Sequence, residues 1–367
     1  PSPSPSPAND GKPRKRRLSS VFSSGIKACD LVKVIKGPAG FVPKPTLLGR
    51  IRQVHEEIEC LVEEHGIKER SGEQVASGTN LFLVLVVTLP GGYACLAPQM
   101  NHLIADGATY YTVLSHISAV LGGTPIEALP KLHWQAGAEK AANPEHMTPH
   151  EVWVTRESWV PACIKIMGAM KERTARWLLV NKAEVDAIKK ECLAAQPEGL
   201  PRCEFLSTND VITAGVFEVC TPRIGNILAN MRGRIPGVDS TYAGNAERVM
   251  FSPRDKIAGD PTYIRREIIN SGKYYGFGPG ELPEDAFAEM DMVGVTNWVQ
   301  LTSFIEFEGS ATIAHVPYSA YSVQMPLEFG VVFKASSAGE IGFLCSFFET
   351  PEFQELVTKS KIFKRIC

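Results

Sequence analysis

The sequence predicts an α/β protein of two layered domains, and three observations point there. Strand-like and helix-like hydrophobic patterns alternate in both halves of the chain. Its 367 residues, 44% of them hydrophobic, suffice for one large or two medium cores, with two domains the default at this length. The longest apolar run, from Leu81 to Leu89, is about half of what spans a bilayer and reads as a buried strand, so a soluble chain without a membrane span is expected.

The chain begins at Pro1 rather than Met and reads as a fragment or processed form. Residues 1–28 combine Pro-Ser repeats with the basic run Lys12-Pro13-Arg14-Lys15-Arg16-Arg17 and few large apolar side chains, a composition that cannot repay the entropy of ordering. They are read as a disordered tail. The net charge of −2 then leaves the remainder acidic, which argues against a nucleic-acid-binding body. The nine cysteines are scattered and form no Cys-x-x-Cys, so neither a disulfide framework nor a zinc site is suggested and a reducing, cytoplasmic setting is expected.

From Thr46, apolar residues at Leu47, Ile51, Val54, Ile58 and Leu61 follow the spacing of an amphipathic helix that ends near Gly66. Two strand patterns, Asn80 to Thr88 and Tyr93 to Met100, flank the turn signal Leu89-Pro90-Gly91-Gly92 and read as a hairpin. A helix is expected from Gly107 to Val120, stopped by Gly122-Gly123. Residues 129–165 show no clean period and read as a crossover loop between an N-terminal domain (29–128) and a C-terminal domain (166–367). Its His133, His146 and His150 match no metal-ligand spacing and read as surface histidines.

The second half opens with a strand at Arg176 to Val180 and a helix carrying Val185, Ile188 and Cys192 on one face. The polar stretch Ser207-Thr208-Asn209-Asp210 before an apolar run is a helix start whose free amides can hold an anion. A helix from Tyr263 to Ile269, a strand from Val293 to Val299, a strand pair (Gly330 to Phe333 and Ile341 to Phe348) and a final helix from Pro351 complete the pattern.

One stretch has chemistry written into it: His102-Leu103-Ile104-Ala105-Asp106-Gly107, where strand gives way to helix. Composition alone would place roughly 0.02 copies of His-x-x-x-Asp-Gly in a chain of this length. A neutral imidazole accepts a proton near pH 7, a carboxylate fixes the local backbone, and the glycine lets a substrate or another backbone approach closely. The bland alternative is a core histidine beside a helix-capping aspartate.

In order and kind, these landmarks resemble the BAHD acyltransferases, within the coenzyme A-dependent, chloramphenicol-acetyltransferase-like superfamily. The resemblance runs over about residues 45–367. It is carried by the Pro90-Gly91-Gly92 hairpin before His102 through Gly107; by Trp177 to Val180, Ile188-Lys189 and Ser207-Thr208; by Arg232, Arg234 and Pro236 before Tyr242-Ala243-Gly244-Asn245; and by Thr296-Asn297-Trp298. The sequence departs from the family at Ile305 to Ala311, where an acidic-Phe pair and one glycine stand in place of the DFGWG signature. It is also shorter before His102, consistent with a missing first strand. Asn101 stands where condensation domains and wax ester synthases carry a second histidine.

The resemblance implies two similar domains, mixed sheets flanked by helices, with a tunnel between them. It implies acyl transfer from a CoA thioester to a small-molecule alcohol or amine by a monomer, with no metal, no permanently bound cofactor and no covalent acyl-enzyme. His102 would act as general base, and Asp106 would organise its loop by pairing with an arginine that the sequence does not name. Thr296 and Trp298 would steady the oxyanion, and Ser207, Thr208, Lys189, Arg232 and Arg234 would meet CoA. In a strand, residues 296 and 298 would share the tunnel face and Asn297 the other. The alternatives are a condensation or ester synthase using carrier-bound or long-chain acyl groups, and a non-catalytic homologue that keeps the tunnel for binding.

Overall fold

The structure, a computed structural model, describes residues 31–67, 81–102, 105–126, 174–220, 222–230, 232–233, 239–244, 246–269, 285, 291–302, 304, 309–317, 328–347 and 361–365. The expected tail, crossover loop and last helix, together with Arg234, Pro236, Asn245 and 305–308 of the expected signature, lie outside the described residues.

Before the His102–Gly107 motif stands a three-stranded sheet in the order β1-β2-β3. β1 (Val32–Lys36) runs parallel to β2 (Phe82–Thr88), and β2 pairs antiparallel with β3 (Ala94–Met100). The turn between them needs positive φ, which Gly91 and Gly92 supply at 72° and 80°. The expected hairpin is therefore present. β1 stands where the sequence suggested a missing strand: Val32 and Val34 are exposed, so the segment lacks a buried face that would have marked it.

The helix expected from Thr46 forms in two pieces. The Thr46 hydroxyl accepts the Gly49 N–H at 3.1 Å and starts α1 (Leu47–Glu57); the chain then turns at Ile58 into α2 (Glu59–His65), which Gly66 closes. The two pieces serve different cores. Ile58 and Val62 pack with Phe41, Leu85 and Val87 beneath the small sheet, whereas Leu47 and Ile51 pack on Trp177, Val331, Phe333 and Leu344 of the large one.

That large sheet has seven strands in the order β10-β4-β9-β8-β7-β5-β6. The strands are β4 (Thr174–Val180), β5 (Ile224–Asn230), β6 (Glu247–Pro253), β7 (Met292–Asn297), β8 (Glu328–Lys334), β9 (Ile341–Phe347) and β10 (Phe363–Arg365). The β5-β7-β8 pairings are parallel and the others antiparallel, giving the mixed sheet the sequence predicts.

α3 (Gly107–Leu121) follows the motif. In the second half come α4 (Lys182–Ala194), α5 (Thr208–Val219), the single turn α6 (Arg254–Ile257) and α7 (Pro261–Ile269). Val185 of α4, Ile212, Val216 and Phe217 of α5, and Ile264 of α7 are buried in one cluster with the sheet residues Val293, Val295 and Phe343. Burying each such side chain stabilises the fold by about 1.5–3 kcal/mol. α1 covers the opposite face, so the sheet is sandwiched between its own helices and one from the N-terminal part. Among the described residues no helix is long and apolar enough to cross a membrane.

Candidate active site

The motif histidine is presented by the end of a strand. Asn101 still donates its N–H to the Leu81 carbonyl at 2.8 Å, and one residue later the chain has left the sheet. His102 is consequently exposed, with 64% of its side chain open, while Asn101 and Ala105 on either side of the motif's start are buried.

Asp106 closes the loop. Its Oδ1 accepts the Thr109 N–H at 3.0 Å and so caps α3, which is the bland role considered for it, but capping uses only part of its capacity. Arg232 donates to it twice, Nη1 to Oδ2 at 2.8 Å and Nη2 to Oδ1 at 3.0 Å, and the Ala246 N–H reaches Oδ2 at 2.8 Å. Burial pushes this carboxyl up, but the hydrogen bonds from Arg232, Ala246 and Thr109, with the guanidinium charge, outweigh it and hold the group below the usual carboxylate range. Arg232 is thus the arginine the sequence left unnamed.

The same contacts correct another expectation. Arg232 was expected to meet a CoA phosphate, yet only 7% of its side chain is exposed. Its Nε goes to the Tyr242 carbonyl and its Nη atoms to Asp106, Asn230, Thr109 and the Gly244 carbonyl, which takes up every N–H of the guanidinium. The Thr109 hydroxyl also donates to the Gly244 carbonyl at 2.9 Å. The segment resembling the family's Tyr-Phe-Gly-Asn is therefore stitched to the first turn of α3.

An open cleft of about 300 Å³ lies beside this lock, lined by Asp106, Gly107 and Ala108, by Leu228 to Asn230, by Glu247, and by Thr296 to Trp298 with Leu301. Gly107 is there for space. A Cβ added to it would come within 3.2 Å of Trp298 Nε1, so the indole lies directly over its α-carbon. Trp298 also meets Tyr111 edge-on, with centroids 6.1 Å apart. Behind Tyr111 sits a histidine that the sequence reading did not single out. His315 Nδ1 donates to the Lys334 carbonyl at 2.6 Å, so Nε2 is left to accept from the Tyr111 hydroxyl at 3.1 Å; burial holds this imidazole neutral.

Thr296, Asn297 and Trp298 all line the cleft; Thr296 stands beside Val331 and Trp298 packs against the cluster that holds Val331, whereas Asn297 stands beside Val332 of the other cluster, so 296 and 298 share one face of the sheet and Asn297 the other. β7 stops at Asn297, though the Trp298 N–H still donates to the Val332 carbonyl of β8 at 2.8 Å; the Asn297 side-chain oxygen takes the Val299 N–H at 2.9 Å, and the Trp298 carbonyl accepts from Leu301 and Thr302 in the turn that follows.

Of the other described residues expected at CoA, Ser207 and Thr208 start α5 and Lys189 lies on α4, all outside the cleft lining. The Ser207 hydroxyl accepts the Asp210 N–H in a capping box, and Lys189 donates to Thr208 Oγ1 at 3.0 Å while pairing with Asp186. Ser207, Thr208 and Lys189 do come together. Glu247, by contrast, was missed. It opens β6, and its Oε1 stands 3.7 Å from His102 Nε2. Burial is the largest influence on its carboxyl and raises it, against the lowering pull of His102. The signal available was an acid standing just ahead of the apolar run Val249-Met250-Phe251.

The architecture is one shared with solved structures at low sequence identity. It is similar to TRI101 of F. graminearum complexed with coenzyme A and deoxynivalenol, at 14% identity and a TM-score of 0.57 over 92% of this chain and 82% of that one. TRI101 of F. sporotrichioides with coenzyme A and T-2 aligns at 14% identity and 0.53 over 92% and 81%, and vinorine synthase at 12% and 0.51 over 78% and 67%. No family model and no curated protein matches the chain.

Proposed function

We propose that this chain is an acyl-CoA-dependent acyltransferase, with an alcohol or amine as acceptor and His102 as general base. The observation that carries the proposal is the buried Asp106–Arg232 pair, four residues after an exposed imidazole that stands 3.7 Å from the cleft-lining Glu247, in a fold shared with a coenzyme A-bound protein. His102 takes the proton of the attacking atom as the new bond forms at the thioester carbonyl, and returns it to the departing thiolate. Thr296 Oγ1 and Trp298 Nε1, both in the cleft wall, are the donors suited to the tetrahedral oxygen. Asp106 and Arg232 position the loop and do not touch the reacting atoms. Lys189 of α4, reaching Thr208 at the start of α5, supplies with Ser207 and Thr208 cationic and hydroxyl partners for CoA phosphate.

The test follows free thiol release from acetyl-, malonyl- and aromatic-CoA thioesters over a panel of alcohols and amines. His102→Ala is expected to lower turnover by about 10² or more while CoA affinity stays near wild type, because the imidazole acts on the acceptor's proton. Turnover at the wild-type rate in that variant would discard the mechanism. Thr296→Val and Trp298→Phe should each lower kcat by roughly 10 to 10³ with KM little changed, the pattern of a donor used in the transition state.

A further inference from the structure

Glu247 has no task in the mechanism above, yet it faces the base. Its place is fixed one residue upstream, where Ala246 gives its N–H to Asp106, so the carboxylate is held to the same lock as the histidine loop. The charged groups around it are His102, Asp106 and Arg232. The last two neutralise each other, which leaves Glu247 to set the sign of the cleft mouth.

The separation is informative. At 3.7 Å, Glu247 Oε1 and His102 Nε2 are too far apart to bond each other directly. One donor atom about 2.9 Å from both would subtend roughly 80° between them, near enough to an H–N–H angle for two moderately bent hydrogen bonds. An alcohol oxygen has a single hydrogen, which the base must receive, so its lone pairs would then confront a carboxylate. A primary amine has a hydrogen for each partner.

Resting on the acyl-transfer reading, we propose that the acceptor is a primary amine, held between His102 and Glu247 with Glu247 as its specificity-determining partner. The amine arrives as an ammonium, drawn by the carboxylate. One N–H bond breaks and that proton leaves to water through the exposed His102. The nitrogen then forms its bond to the thioester carbon, giving a second proton to His102; the carbon–sulfur bond breaks and the thiolate takes that proton from the imidazolium. The products are a secondary amide, CoA thiol and the one proton released at the start. The amide retains one N–H, and Glu247 accepts it throughout, whereas an ester would offer the carboxylate nothing.

The experiment uses the full chain, acetyl-CoA and matched acceptors, 2-phenylethylamine against 2-phenylethanol and hexylamine against hexanol, with thiol release timed and products identified by mass. Wild type should favour each amine by tenfold or more in kcat/KM. Glu247→Gln should shrink that amine-to-alcohol ratio at least tenfold with the KM for acetyl-CoA unchanged, and Glu247→Asp should restore part of it. Preference for the alcohols, or a ratio unmoved in Glu247→Gln, overturns the amine proposal; if His102→Ala still abolishes that alcohol activity, acyl transfer itself stands. Thiol release with no acceptor of either series overturns both readings.

Discussion

Among the described residues two buried aspartate–arginine pairs stand at the starts of two helices, and they behave oppositely. Asp106 at the start of α3 has both oxygens engaged, by Arg232 through two nitrogens and by the Thr109 and Ala246 amides, and its carboxyl is held low. Asp210 in the first turn of α5 pairs with Arg265 through Oδ2 alone, together with the Ser207 amide, while its Oδ1 is buried without a hydrogen-bond partner, and burial raises its carboxyl. Residue types and setting match. The difference lies in how many donors meet the charge, which decides whether a buried carboxylate is favoured as an ion or merely tolerated. Where the loop must hold still beside an exposed imidazole, the donors are complete.

The largest effect should come from breaking the complete pair. Asp106→Ala strands the Arg232 guanidinium and is expected to cost about 3–5 kcal/mol in denaturant unfolding, with acyl transfer lost alongside. If activity falls while stability holds, the pair does not organise the loop. Asp210→Asn should be milder, about 1–2 kcal/mol, because it keeps a cap acceptor and Arg265 retains the Phe205 ring 4.6 Å away. Turnover should stay within a few-fold of wild type. Equal costs for the two substitutions would show that donor count is not what separates the sites.

The costs should also run in opposite directions with pH. Asp106, with its folded pKa depressed, adds stability above the unfolded carboxylate value near 3.9 and loses it as pH falls through the folded value. The penalty of Asp106→Asn therefore grows from acid towards neutral pH. Asp210, with its folded pKa raised, adds stability that is present in acid and lost as pH rises through the folded value, so the penalty of Asp210→Asn shrinks over the same range. Unfolding midpoints between pH 3 and 7 for the wild type and both variants give the two slopes; slopes of the same sign would refute the contrast.

A single methyl group gives the smallest test. At Gly107 a new Cβ meets the fixed indole of Trp298 at 3.2 Å, whereas at Gly215 in α5 it meets only the end of Ile362 at 3.0 Å. Gly107→Ala should lower kcat by roughly tenfold while the melting temperature moves by about 2 °C or less. Gly215→Ala should leave kcat unaltered. Comparable losses of kcat would place the crowding outside the cleft.

What the sequence made legible was local. His102, Asp106 and Gly107 sit within six positions, and the turn glycines, the Ser207 cap and the apolar periods of α1, α3, α4 and α5 are each contained in one element. The partner of Asp106 lies 126 residues away, and nothing in an Arg-x-Arg pattern distinguishes a buried guanidinium from a phosphate-binding one. The resemblance, with the fit of a guanidinium fork to phosphate, thus pointed Arg232 to CoA, whereas its side chain is engaged by Asp106. β5 and β6 went unread because Gly225, Asn226 and Asn230 interrupt the apolar pattern of the first, and Glu247 opens the second with a charge. Glu247 gains meaning only when β6, the last strand of the large sheet, is set beside the histidine loop.

The span of the Asp106–Arg232 pair also orders assembly. Arg232 and Ala246 emerge from synthesis long after Asp106, and the sheet that holds them requires β4 to pair with β9, more than 160 residues further on. Until that long-range closure is complete, Asp106 has its α3 amide but no cation, and the loop bearing His102 has nothing to anchor it. The anchored geometry of that loop therefore arises only once β4 and β9 have closed the large sheet.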